Sequence, residues 1–164
     1  MDTNADPGAA GTGDPDLTAD RVDLRYLVEG YAIACDTRDP DALGACFADG
    51  AVLTVHWPDR AATRLAFPES AAAITTNLSR YDRTLHLVGN HRATIDGDTA
   101  TGLTYCVAHH ITGDQNSIMT IRYLDTYRRD PSGWRFVTRD LQVDWTEDTT
   151  VVPGSPGSPG SPGA

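Results

Sequence analysis

Two turn signatures, set between long alternating stretches in the second half of the chain, narrow the fold more than anything else. Asp96-Gly97-Asp98 separates residues 84–95 from 99–112, and Asp130-Pro131-Ser132-Gly133 separates 117–129 from 134–145. Gly, Asp, Ser and Pro supply the backbone angles that tight turns need. The flanking stretches alternate and are rich in Thr, Val, Ile and aromatic residues, as strands are. Four long antiparallel strands are therefore predicted from Thr84 onward.

The first half reads differently. Leu17, Arg21, Leu24, Val28, Tyr31 and Cys35 recur at spacings of three and four, and all but Arg21 are apolar or aromatic. That period predicts an amphipathic helix ending near Asp36. Asp39-Pro40-Asp41 restarts a short helix, with Asp39 as N-cap and Pro40 at the first helical position, and that helix carries Leu43 and Phe47. Asp49-Gly50 reads as a turn, 51–56 as a strand, and Pro68-Glu69-Ser70 as the opening of a third short helix reaching Arg80. Helices first and a meander later make an α+β layout, with helices packed on one face of a curved sheet. No GxGxxG or Walker pattern is present, so a doubly wound nucleotide binder is not expected.

Composition excludes several classes of function. Acids outnumber bases 23 to 13, giving a formal net charge of −10. Nucleic acid and anionic membrane are not expected partners, because phosphate binding needs a clustered basic surface. No apolar run approaches the roughly 18 residues of a membrane span. The first 16 residues have neither a basic nor an apolar region, so they read as a disordered segment and not as a secretory signal. The Pro-Gly-Ser repeat from Pro153 reads as a flexible tail. The expected organisation is 1–16 disordered, 17–147 folded and 148–164 a tail, with 146–152 a possible lid. Cys35, Cys46 and Cys106 show no CxxC spacing; reduced thiols fit a cytoplasmic protein, and neither disulfides nor zinc are expected. His56 and His91 read as loop or strand-end residues. No HxH or HxxxH spacing supports a metal, so no metal or cofactor is expected.

Three residues stand out chemically. Asp36 closes the first helix, where the negative end of the macrodipole predicts a raised pKa. His86 lies on a strand face with Thr84 and Val88. His109 and His110 point to opposite faces, so at most one can enter a pocket. The apolar pattern places His109, with Leu103, Tyr105 and Val107, on a buried face; His110 shares its parity with Thr104, Cys106 and Ala108.

In this order, several stretches together resemble the nuclear transport factor 2-like superfamily, and within it the SnoaL-like and scytalone dehydratase-like proteins. They are Tyr31-Ala32-Ile33-Ala34-Cys35-Asp36, Asp39-Pro40-Asp41-Ala42-Leu43, Phe47-Ala48-Asp49-Gly50-Ala51, Leu85-His86-Leu87-Val88-Gly89-Asn90, Asp96-Gly97-Asp98-Thr99-Ala100, Ala108-His109-His110, Gly133-Trp134-Arg135-Phe136 and Trp145. The resemblance implies a cone-shaped α+β barrel, in which a curved antiparallel sheet wraps around N-terminal helices and an apolar pocket. It implies that Asp36 and His86 form a catalytic dyad, and a count from Gly102 puts the family's second histidine at His110. Two tyrosines of scytalone dehydratase fall on Cys35 and Val55, which argues against scytalone itself as substrate. Tyr123 falls on a pocket asparagine and could donate a hydrogen bond to a carbonyl. Arg139 could stabilise an anion if its face points inward. Tyr31, Trp57, Phe67, Leu141 and Trp145 are expected in the pocket or at its rim.

The expected function is a cofactor-independent, dehydratase-like lyase acting on a small apolar cyclic or polyketide-like molecule. An isomerase or polyketide cyclase using the same residues, and a non-catalytic ligand-binding domain, are the alternatives. The scaffold hosts all of these, so fold alone does not choose among them. A homo-oligomer, dimer or trimer, is implied by the resemblance.

Overall fold

The computed structural model describes residues 17–152. The segment 1–16 and the repeat from Pro153 lie outside the described residues, so the expectations for them are not addressed by the structure. The elements run α1 (Thr18–Thr37), α2 (Pro40–Ala45), β1 (Phe47–His56), β2 (Thr63–Ala66), α3 (Ala71–Leu78), β3 (Arg83–Asp96), β4 (Thr99–Thr112), β5 (Gln115–Asp130) and β6 (Gly133–Thr150). Their strands form a six-stranded sheet in the order β2-β1-β6-β5-β4-β3.

Local chemistry explains the elements. Helix α1 buries Leu24, Val28, Tyr31 and Cys35 along one stripe, following the sequence period. It stops at Arg38, whose left-handed φ of 57° lets the last carbonyls of the helix accept backbone N–H groups. Asp39 then caps α2 by accepting from Ala42 N at 2.9 Å. Near the N-terminal end of α1, Asp20 accepts from Arg129 Nη1 at 2.6 Å and from Trp134 Nε1 at 3.1 Å, tying the helix to β5 and β6. The β3–β4 turn uses Gly97 at φ 56°, as the Asp-Gly-Asp signature requires.

The cone-shaped α+β class is as expected, with four differences of detail. The sheet is mixed, because β6 returns beside β1 in the parallel sense, with Val55 opposite Leu141. Asp49-Gly50 is no turn: Phe47 already begins β1, and the left-handed Gly50 lies inside that strand where its register with β6 shifts. The short β2 was not legible, since four half-polar residues carry little alternation; it pairs with β1 by Leu53 opposite Leu65. His91 lies within β3 rather than at a strand end, beside a register shift after Val88. β6 also runs past residue 147 to Thr150, pairing there with Gln115, so residues 146–150 extend the sheet rather than form a separate lid.

One face of β3–β6 points at the helices. Across it, Thr84 pairs with His110 and His86 with Ala108. Cys106 pairs with Ile121 and Thr104 with Tyr123. Tyr123 pairs with Leu141 and Asp125 with Arg139. The deep core lies between this face, α1 and β1, where Phe47 stacks on Phe67 at 3.7 Å between centroids and 15° between planes. No helix among the described residues is long and apolar enough to cross a membrane.

Candidate active site

Asp36 and His86 meet where the C-terminal end of α1 crosses β3. His86 Nδ1 donates to Asp36 Oδ1 at 2.7 Å, and the His86 backbone N–H donates to Oδ2 at 2.8 Å. The Thr84 hydroxyl donates to Oδ1 at 2.8 Å. Thr84 in turn accepts from Arg38 Nη1 at 3.1 Å. The same guanidinium also reaches the Asp36, Leu78 and Tyr81 carbonyls, joining the ends of α1 and α3 to β3. Burial disfavours the ionised Asp36. The His86 ring and backbone bonds, the His86 charge and the Thr84 hydroxyl outweigh that penalty and hold its carboxyl below the ordinary carboxylate range. This reverses the raised pKa expected from the helix end. Three donors aimed at one carboxylate exceed the macrodipole, which acts weakly at a partly exposed terminus.

With Nδ1 committed to Asp36, Nε2 is the nitrogen of His86 left for chemistry. His110 faces the same space, its ring edge-on to His86 with centroids 5.7 Å apart and planes at 85°. Tyr81 packs against His110 at 4.8 Å. His110 Nδ1 is buried without a partner among the described residues. Burial, reinforced by the positive charge on His86, pushes the His110 pKa down to about 4. His110 is therefore a neutral imidazole at ordinary pH. His109 lies on the other side of β4, where it meets the Asn116 side-chain nitrogen through Nδ1 at 2.9 Å. The alternation had favoured His109 inside; it misled because the outer face of this sheet is itself strongly apolar.

Both inner histidines border a cavity of about 330 Å³, within the range of small-molecule sites. Of the residues expected around it, Tyr31, Cys35, Val55, Trp57, Tyr123 and Leu141 line it. Asp36 stands behind His86 as its support. Cys35 is a buried thiol that desolvation pushes up to about 12, so it is no nucleophile. The cavity wall is otherwise mostly aliphatic, with Leu53, Met119, Ile121 and Val143 among its members.

Three expectations need correction. Arg139 does point inward, but it sits below the cavity and not in it. It is fully buried, with Nε and Nη2 each 2.9 Å from an Asp125 oxygen and its guanidinium packed over Tyr31, Tyr123 and Phe136. Its charge is spent on Asp125, so it serves the floor rather than a ligand. Trp145 leaves the pocket face altogether. Ile121 pairs with Val143 and Thr120 with Trp145, so Asp144 is an extra residue that bulges β6 and turns Trp145 outward, half exposed. Phe67 belongs to the core stack with Phe47.

Sequence reasoning missed Tyr81, Arg38 and the supporting role of Thr84. Thr84 could be found by its shared parity with His86. Tyr81 and Arg38 carry no signal, because one follows a short helix and the other is a helix C-cap. Among the described residues no group of three or more His, Cys, Asp or Glu is placed to hold a metal ion.

A curved sheet closed by helices over a histidine-lined cavity defines a nuclear transport factor 2-like protein. The sequence profile of the SnoaL-like domain matches residues 16–140, and the chain belongs to that family. An uncharacterised protein of Mycobacterium tuberculosis is 27% identical over 124 residues, spanning 74% of this chain and 83% of that protein. Among solved structures, a hexachlorocyclohexane dehydrochlorinase of the LinA type from Novosphingobium barchaimii superposes with a TM-score of 0.71 at 21% identity, covering 83% of this chain and 96% of that one. A candidate scytalone dehydratase from Novosphingobium aromaticivorans superposes with a TM-score of 0.71 at 17% identity, covering 87% of this chain and 96% of that one. At these identities the likeness establishes the shared fold.

Proposed function

We propose that the protein is a cofactor-independent acid–base lyase that removes water from a small, largely apolar ring compound. The observation that carries this reading is the 2.7 Å bond from His86 Nδ1 to Asp36, made beside an apolar cavity. Asp36 fixes the ring and its tautomer and stabilises the imidazolium that forms. His86 Nε2 takes a proton from the carbon next to a carbonyl. The electron pair of that C–H bond becomes the new C=C bond as the C–O bond breaks, and the departing hydroxide takes the proton from His86 to leave as water. His110, being neutral, acts through an N–H hydrogen bond to the carbonyl oxygen and stores no proton for the leaving group. The dry cavity strengthens each of these interactions.

Mass spectrometry tests the reading on β-hydroxycarbonyl ring compounds. The expected result is loss of one water by the wild type, with turnover cut by ~10²–10⁴ in Asp36→Asn and in His86→Ala. A product of unchanged mass would assign isomerase or cyclase chemistry to the same residues. Full turnover in both variants would sink the dyad.

A further inference from the structure

The same cavity carries a second chemical feature at its edge. Arg60, from the β1–β2 loop, and Arg80, from the turn after α3, line it together with His86 and His110. No aspartate or glutamate lines it among the described residues, although acids outnumber bases 23 to 13 in the chain. Random placement would favour acids, so two cations alone at the mouth select a charge. Each arginine lies over an aromatic ring of the wall. Arg60 Cζ is 3.9 Å from the Trp57 ring centroid, and Arg80 Cζ is 4.7 Å from that of Tyr81. Arg80 Nη2 also donates to the Tyr81 hydroxyl at 2.6 Å. Stacking restrains a guanidinium while leaving N–H donors in its plane for a carboxylate, so the pairing geometry is partly set before a ligand arrives.

We propose that Arg60 and Arg80 form an anion-reading rim, so that the substrate is an apolar ring compound bearing a carboxylate, its ring in the cavity and its anion at the arginines. The inference rests on the acid–base reading for the cavity's role as a substrate site. It assigns the rim to specificity and leaves bond breaking to the histidines. The carboxylate is held apart from the carbon that loses its proton, because the two histidines and the two arginines are different parts of the wall.

Binding of 1-naphthoate and of its neutral isostere 1-naphthamide to the full chain, followed by tryptophan fluorescence and calorimetry, tests it without turnover. The wild type is expected to prefer the carboxylate about fivefold to tenfold, the range for two solvent-facing ion pairs, with the preference shrinking as salt is added. Arg60→Gln/Arg80→Gln should bind the two alike with amide affinity unchanged, and Arg60→Lys/Arg80→Lys should keep part of the preference. Both arginines are exposed, so neither change threatens folding. Equal binding by the wild type, an undiminished preference in the glutamine pair, or binding of neither compound would overturn the proposal. A preference that holds while Asp36→Asn and His86→Ala keep turnover would leave the rim standing and remove the acid–base reading. A missing preference alongside lost turnover would remove the rim alone.

Discussion

At the scale of single residues, the two inner histidines differ because their surroundings differ. His86 has a carboxylate on Nδ1, whereas His110 has an unpartnered Nδ1 and a desolvated ring. The pKa of His110 falls from 6.5 in the open chain to about 4 in the fold. Between those values the unfolded chain binds the extra proton, so stability rises with pH across that window and is lost on acidification, by roughly 3 kcal/mol at full titration. Urea unfolding at stepped pH should show this slope, and His110→Gln should remove most of it. Asp36 acts in a different window. Its lowered pKa gives stability that is present above the ordinary carboxylate value and lost as pH falls below it. Asp36→Asn should therefore flatten the unfolding profile only at the acidic end. A His110→Gln profile identical to that of the wild type between 6.5 and 4 would refute the buried neutral imidazole.

At the scale of elements, the floor of the cavity depends on how tightly β4, β5 and β6 are braced. Gly102 on β4 leaves room for the Tyr127 ring: a Cβ there would lie 2.7 Å from its hydroxyl oxygen and 2.8 Å from Cε2. Tyr127 cannot simply yield, because its hydroxyl donates to Asp125 Oδ2 at 2.9 Å and Asp125 is the partner of buried Arg139. Gly102→Ala should cost about 1–3 kcal/mol of stability, read as a lower urea midpoint with an unchanged slope. An unshifted midpoint would mean that the strand moves instead of the ring. The bulge at Asp144 works in the opposite sense, by releasing β6 from the pocket pattern. Strict alternation was a sound guide up to Val143 and failed at Trp145, since one inserted residue inverts the face of everything after it.

At the scale of the whole molecule, the outer face of the sheet is conspicuously apolar. Leu85, Leu87, Tyr105, Leu124 and Trp145 are all exposed there, Leu87 at 61%. Contiguous apolar surface of this kind marks an interaction face, and we propose that a second copy of the chain covers it. Light scattering on the eluting protein should give an oligomer for the wild type and a lower mass for Leu87→Asp, with 1-naphthamide affinity unchanged because Leu87 faces away from the cavity. A monomeric wild type would refute the proposal. Trp145, which the sequence alone places at the pocket, belongs by its position to this outer face.

The sequence by itself determined the class. Turn chemistry at Asp96-Gly97-Asp98 and Asp130-Pro131-Ser132-Gly133 set the meander, the three-and-four spacing set α1, and Asp39-Pro40 set α2, because each is a local preference that a few neighbouring residues can satisfy. It also singled out Asp36, His86 and His110 as residues to watch. Tertiary structure decided the rest. Whether β6 lies parallel to β1, which strand face looks at the helices, and that Arg139 spends its charge on Asp125 all depend on contacts between distant segments. So does the sign of the Asp36 pKa shift: the helix end alone raises it, and only donors brought in from β3, some 50 residues away in the chain, turn it downward. Local propensity is additive along the chain, whereas burial and pairing are properties of the packed whole.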